Sequence, residues 1–436
     1  MILRGMLDLP VDTVVSSMMI KALVSLLLGL CTVQVSQAVP IEVSGSVSGS
    51  VSGSVSGSAS VHALAELFQP VPPEFSERRE LFEFHRDFVN FESLSNAEYK
   101  GSDFLGEYLE QKGLNVEYIA SSNGRKNVWA YLGTKKSTKV LLTSHIDTVP
   151  PYFNYSVEKN EQDGKFRIYG RGSNDAKASI AAQVTAFDEL LDEGEIGEGD
   201  VSLLYVVGEE VGGDGMVSAD KQLVSRNINW NSVIFGEPTD NELAVGHKGI
   251  YYFRIRVYGH SCHSAYPDLG VDANRVLIRI MNDLEVADWP GSKLLGDTTA
   301  NIGEIDASNA ANVVSPYAAC TVLIRVASSV EDISKIVQQI INKYSKEALK
   351  VELQVEQESN PVYLDYDVPG FNHSSLSFST DVPNLSQRGF KRYIYGPGSI
   401  HNAHSANEYV EVESLMRSVD DYKKLVMHSL NLLEKM

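Results

Sequence analysis

Five short stretches of the chain place imidazole and carboxylate groups at spacings suited to binding metal ions. Thr143 to Pro150 reads TSHIDTVP and sets His145 and Asp147 two residues apart, so in extended geometry both side chains project to one side. One of the two can ligate a metal while the other steadies it, because a carboxylate that accepts the free ring N–H of a metal-bound histidine fixes the tautomer; that outer role falls to Asp147. Tyr169 to Ser179 reads YGRGSNDAKAS and sets Asp175 before a helical stretch, where glycines free the backbone and the helix dipole favours an anion. Taken alone, Asp175 reads as a helix cap.

Val206 to Gly215 reads VVGEEVGGDG, with Glu209 and Glu210 adjacent at the end of an apolar run. Two like charges side by side at a buried sheet end are costly unless a cation or a proton offsets them. FGEPTD supplies Glu237, and GPGSIHNAHSANEY supplies His404, with His401 three residues earlier as a rival on spacing alone. The donors are imidazole and carboxylate without thiolate, a set that suits zinc or cobalt and is large enough for two ions.

The elements that must carry these groups alternate. Strand-like runs cover Asn127 to Leu132, Lys139 to Ser144, Val201 to Val207 and Ser232 to Phe235, with a helix from Ala176 to Glu193 among them that stops at Gly194. Such alternation predicts an α/β sheet layer. Three of the four runs lead within two residues into an acid or an imidazole, at the carboxyl ends of strands where such sheets bind ligands. Helical spacing also marks Glu80 to Phe91 and Glu98 to Lys112.

From about Leu243 the order becomes strand (Tyr251 to Tyr258), helix (Val271 to Leu284), strands (Thr298 to Glu304 and Ala318 to Val326), helix (Val330 to Ser345) and strand (Lys350 to Val355). This βαββαβ order is the split ferredoxin-like unit and predicts an inserted second domain over 243–357. The catalytic layer would then comprise 80–242 and 358–436, closing with a helix from Val412 to Leu433.

The length of 436 residues suits two folded units at roughly 150 residues each plus appendages. With 43% apolar and 22% charged residues the composition is that of a globular protein. Lys and Arg total 37 against 57 Asp and Glu, a formal charge of -20 that repels phosphate backbones and argues against nucleic acid as a partner.

Lys21, the apolar run Ala22 to Val33, and the small residues Ser36 and Ala38 have the layout of a secretory signal peptide over 1–38. The run is short for a spanning helix of roughly 20 residues, so stable membrane insertion is not expected. The Ser-Gly-Ser-Val repeats between Val43 and Ser60 offer nothing large to bury and predict a flexible tether over 39–79. A secreted chain would leave Cys262 and Cys320 able to pair, and Asn154, Asn372 and Asn384, each in an N-x-S pattern, open to glycosylation.

From about Glu80 to the C-terminus these motifs, in this order, resemble the M20 metallopeptidases, a group of carboxypeptidases, aminoacylases and related deacylases. The resemblance implies a zinc-exopeptidase-like catalytic domain with an inserted ferredoxin-like lid that often mediates homodimerisation. It implies two Zn2+ ions, replaceable by Co2+ in vitro, with His145 and Glu237 on one, Glu210 and His404 on the other, and Asp175 bridging. Ala403 to Glu408 resembles the family's AHxxxE pattern and so favours His404 over His401. Glu209 would be the general base, taking the proton of a water activated by the ions.

In the lid, GHSCHSAYP resembles the segment that supplies a histidine to the substrate, here His263, while Asn301 and Arg325 would contact substrate. The turn Gly396 to Ser399, with Gly398 at its centre, would offer N–H groups to the substrate carboxylate. The expected substrate is a peptide or an N-acyl amino acid. The secretory leader favours a carboxypeptidase; GEPT followed by HKG also resembles acetylornithine deacetylases, which keeps N-acyl-amino-acid deacylation as the alternative. A catalytically inactive binding protein on the same fold would lack a ligand or the base, and none is missing.

Overall fold

The computed structural model describes residues 73–431. The expected signal peptide and the Ser/Gly repeats lie outside the described residues. After a 3-10 turn (Pro73–Arg78) come helices α1 (Arg79–Val89) and α2 (Tyr99–Gln111) and strands β1 (Asn115–Ala120), β2 (Lys126–Tyr131), β3 (Val140–His145), β4 (Ser156–Lys159) and β5 (Phe166–Tyr169). There follow α3 (Lys177–Asp192), β6 (Val201–Val206), α4 (Asp214–Ser225), β7 (Ser232–Gly236) and β8 (Leu243–His247). The next segment is β9 (Gly249–Tyr258), α5 (Ala273–Glu285), β10 (Thr299–Asp306), β11 (Tyr317–Val326), α6 (Val330–Tyr344) and β12 (Lys350–Ser359). The chain returns through β13 (Val362–Tyr363), β14 (His373–Leu376), β15 (Lys391–Tyr395) and β16 (Tyr409–Glu411) to α7 (Val412–Asn431).

The fold is mixed α/β. Six strands form the main sheet in the order β1-β2-β6-β3-β7-β15. The last four run parallel, so their carboxyl ends share one edge. Every residue of β3, β6 and β7 is buried, as continuous apolar runs in a two-sided parallel sheet require. Leu142, Leu203 and Ile234 face a core shared with α1, α2, α3 and α7, while Leu141, Leu204 and Phe235 face a second core that includes Met216 and Leu223 of α4. The sheet therefore cannot shift by one residue without exposing one of its two apolar faces.

The βαββαβ segment builds its own four-stranded antiparallel sheet, β10-β11-β9-β12, with α5 and α6 on one face. Asp272 caps α5 by accepting the N–H groups of Asn274 and Arg275, and Ser329 caps α6 by accepting that of Asp332. Alternation along β9 and β11 sends Phe253, Ile255, Val322 and Ile324 into the core beneath the helices. Asn301 and Arg325 lie on the opposite, helix-free face.

Three features depart from the sequence reading. Residues 243–247 pair with β13 and β14 of the returning segment, so the inserted sheet starts at Gly249 and ends at Ser359. Arg78 bonds Glu189 and Asp420, which brings the packed chain forward of Glu80. Cys262 and Cys320 are both free: Cys320 is buried in the lid core, whereas Cys262 sits on the loop before α5 and donates to the Tyr266 carbonyl. No helix among the described residues is long and apolar enough to cross a membrane.

Candidate metal centre

The parallel strands deliver their polar ends to one place. His145 closes β3, Glu209 and Glu210 follow β6, and Glu237 follows β7. Asp175 precedes α3, and His404 arrives on the loop between β15 and β16. Donor atoms of His145, Asp175 and Glu210 all lie within 4.8 Å of one another.

Asp175 is the hub. Its Oδ1 is 3.1 Å from His145 Nε2 and its Oδ2 is 3.4 Å from His404 Nε2, so each carboxylate oxygen faces a different imidazole. Glu237 Oε2 lies 3.9 Å from His145 Nε2, and Glu210 Oε1 lies 2.9 Å from His404 Nε2. By these contacts Glu237 faces one imidazole and Glu210 the other, two sets with Asp175 common to both. His145 is 2% exposed and His404 51% exposed, so one set is deep and the other forms the mouth. His404 reaches inward from a left-handed backbone conformation at φ 60, while His401 is exposed and its backbone N–H faces Ser399 Oγ.

Burial disfavours the charged form of His145, but the Asp175 hydrogen bond and the charges of Glu237 and Glu209 outweigh it and hold its pKa well above the usual imidazole value. Hydrogen bonds donated to Asp175 and Glu210 raise the His404 pKa to about 10. Burial pushes Glu209 and Glu237 well above the usual carboxylate range and raises Glu210. Acids crowded this closely away from water ionise together only when strong positive charge sits among them. Two zinc ligands at about 2.0–2.1 Å with tetrahedral angles stand roughly 3.3 Å apart, close to the separations seen here. The donor set and its spacing therefore fit two cations of the zinc type.

Asp147 acts differently from the sequence expectation. His145 Nδ1–H donates to the backbone carbonyl of Asp147 at 2.9 Å, whereas the Asp147 carboxylate stands 3.7 Å away. That carbonyl fixes the tautomer and leaves Nε2 as the donor toward a metal. The buried carboxylate instead accepts the backbone N–H groups of Glu209 at 3.0 Å and Glu210 at 3.2 Å and the hydroxyl of Ser95 at 2.9 Å. Extended alternation fails here because the chain leaves β3 at His145, and Asp147 turns toward the neighbouring strand end.

Gly398 also differs. Its N–H donates to Ser414 Oγ at 2.9 Å, and that of Gly396 donates to Thr239 Oγ1 at 3.0 Å, so neither is free for a substrate. Gly398 is required for shape: its φ is +75, and a Cβ there would stand 1.8 Å from Asn174 Oδ1. Asn384 is half-buried, with its amide nitrogen donating to Asp381 Oδ1 and lying close to Gly213. Asn154 and Asn372 are exposed.

The lid candidates stand apart from the ligand cluster. His263 is exposed on its loop, where it accepts the Ala265 N–H at Nδ1. Thr299 pairs with Arg325 and Asn301 with Leu323, so Asn301 and Arg325 are diagonal neighbours on the helix-free face. Arg325 is half-buried, burial lowers its pKa, and no acidic side chain pairs with it among the described residues.

Sequence reasoning missed two buried acids. Asp381 lines a small cavity with His145, Glu209 and Glu237; burial raises its pKa to about 6, and its Oδ2 has no hydrogen-bond partner among the described residues. Nothing in the STDVPN stretch marks it as more than a turn. Glu408 closes the AHxxxE pattern and had a visible signal, taken up only for its histidine.

Residues 141–428 match the profile described as Peptidase family M20/M25/M40. The chain is similar to a peptidase M20 domain-containing protein of Schizosaccharomyces pombe, 46% identical over 353 residues, covering 80% of this chain and 85% of the relative. A probable carboxypeptidase of Aspergillus clavatus is 38% identical over 373 residues, covering 80% and 89%. Among solved structures, a tripeptidase from Staphylococcus aureus shares the fold with a TM-score of 0.66 at 22% identity, covering 80% of this chain and 98% of that one. A dinuclear metal-binding M20 peptidase from Bacillus subtilis superposes with a TM-score of 0.59 at 14% identity, covering 82% and 98%.

Proposed function

Because this chain belongs to peptidase family M20/M25/M40 and is a metal-dependent hydrolase of that family, we propose that it is a secreted two-zinc carboxypeptidase that cleaves the amide bond before a C-terminal amino acid. The observation that carries the reading is Asp175, whose two oxygens face His145 and His404 separately, as a carboxylate shared by two ions would. His145 and Glu237 would hold one ion, and Glu210 and His404 the other.

When bound, the ions supply Lewis acidity, lowering the pKa of a shared water and polarising the scissile carbonyl. Glu209 would take the water's proton: in support, it lines the cavity with His145 and Glu237, and burial raises its affinity for a proton. It then returns that proton to the leaving amine, which makes one side chain both base and acid. His263 would steady the oxyanion from the lid.

Arg325 supports a C-terminal carboxylate as the recognised group. A half-buried guanidinium without an acidic partner is costly unless an anion from elsewhere completes it. Asn301, on the same face, would add an amide contact. An N-acyl amino acid carries the same carboxylate, so deacylation remains the second reading. The leader from Lys21 to Ala38 supports secretion, and the exposed Asn154 and Asn372 are the positions for glycans. The lid would also be the surface for a homodimer.

The discriminating experiment is hydrolysis of blocked dipeptides, the same peptides amidated at the C-terminus, and N-acetyl amino acids. Release of the last residue from free-acid dipeptides alone supports the carboxypeptidase. Activity confined to N-acetyl amino acids replaces it with the deacylase.

A further inference from the structure

The segment that carries His404 ends in Glu408, a buried acid whose carboxylate turns to the loop before α3. Glu408 Oε2 accepts Arg171 Nη1–H at 2.6 Å, with both side chains 1% exposed. Its Oε1 accepts the backbone N–H groups of Asn174 at 3.1 Å and Asp175 at 3.0 Å. The Glu408 carbonyl accepts the N–H of Gly170 at 3.3 Å, so the loop from Gly170 to Asp175 is bonded to this one residue along its length. Arg171 is held in turn by donating Nε–H to the Pro151 carbonyl at 3.1 Å.

A buried ion pair of this kind is a poor source of stability, because desolvation offsets much of the attraction and an apolar pair of the same volume serves as well. Arg171 Nη2 is also buried without a hydrogen-bond partner among the described residues, which adds to the cost. The pair is better explained by what the carboxylate points at. Glu408, which holds the backbone of Asp175, comes four positions after His404, which faces one oxygen of Asp175.

We propose that Glu408 is a positioning residue that fixes the backbone of Asp175 relative to His404 and thereby sets the geometry in which the two ions share Asp175. The inference rests on the two-metal reading above. It adds a residue whose loss loosens metal binding without touching substrate.

The test uses the full chain, stripped with chelator and titrated with zinc against a chelating dye, together with the visible spectrum of the cobalt form. Glu408→Ala removes the acceptor, Glu408→Gln keeps an oxygen for the two N–H groups, and the volume-matched pair Arg171→Met with Glu408→Leu removes acceptor and charges together. The expected result is two zinc ions on the wild type, a weaker site loosened about 10–100-fold in Glu408→Ala with a changed cobalt spectrum, and an intermediate loss in Glu408→Gln. kcat falls while KM for the peptide stays within about twofold.

If Glu408→Ala does not fold, the double variant decides, since it leaves no unpaired charge; it is expected to unfold at a somewhat lower denaturant concentration than the wild type, because the N–H groups of Asn174 and Asp175 lose their acceptor, and, while folded, to bind zinc about 10–100-fold more weakly. Wild-type zinc affinity and cobalt spectrum in a folded variant lacking the acceptor would overturn the assignment of Glu408 alone. A wild type that takes up no metal would overturn the two-metal reading and this inference with it.

Discussion

Asp147 Oδ1 accepts the backbone N–H of Glu209 at 3.0 Å, so the acid two residues beyond a candidate ligand histidine holds the residue assigned to proton transfer. The same carboxylate takes the Glu210 N–H, which ties base and ligand to one anchor. Asp147→Ala leaves both N–H groups without an acceptor inside the protein, a cost of about 1–3 kcal/mol each. Denaturant unfolding is expected to show that loss, and kcat to fall about 100-fold or more as Glu209 drifts. An unchanged kcat in folded protein would remove Asp147 from this role.

Glu209 is expected to act on the proton and not on the metal. Glu209→Gln should lower kcat by about 10²–10⁴-fold while the protein still binds two zinc ions with affinity close to wild type. Loss of zinc in this variant would instead place Glu209 among the ligands.

Arg325 provides a test of what the substrate must carry. Arg325→Met should raise KM for free-acid peptides by about 10–100-fold, the equivalent of one charge-assisted bond, and leave any slow cleavage of amidated peptides where it was. Equal effects on both substrates would show that Arg325 does not meet the carboxylate.

His85 provides a pH test away from the ligands. It is fully buried with Nε2–H donated to the Ser173 carbonyl, and burial lowers its pKa from 6.5 to about 3. Its pKa is depressed on folding, so its contribution is complete above about pH 6.5 and is lost as pH falls toward 3. Between pH 7 and pH 5, in chelator, the wild type should lose about 2 kcal/mol more unfolding free energy than His85→Gln. Parallel losses in the two proteins would contradict the neutral, buried state of His85.

The chemistry was legible in the sequence because strand ends advertise it. His145, Glu209, Glu210 and Glu237 each follow an apolar run, and the six-stranded sheet brings those ends to one edge. The βαββαβ order was equally plain, since the apolar runs of β9 and β11 and the helical spacing of α5 and α6 stand out in sequence. β1 was not, because its burial is confined to one residue on an edge strand, and β15 was hidden by Lys391 and Arg392 at its start. What escaped most completely were contacts made across the chain. Nothing near Asp147 in sequence says that its partners are the N–H groups of residues 209 and 210, and nothing near Glu408 points to Asp175, 233 residues away. Gly398 in a Gly-rich turn suggests a free N–H, yet its importance is the space it leaves for Asn174.

Metal stoichiometry against turnover tests the two-ion centre most directly. Protein stripped with chelator and titrated with zinc, assayed at each step on a blocked dipeptide, is expected to be inactive without metal and to reach full activity only as the second ion per chain binds. Turnover that survives thorough metal removal, or that is absent with two ions bound across peptide and N-acetyl substrates alike, would contradict it.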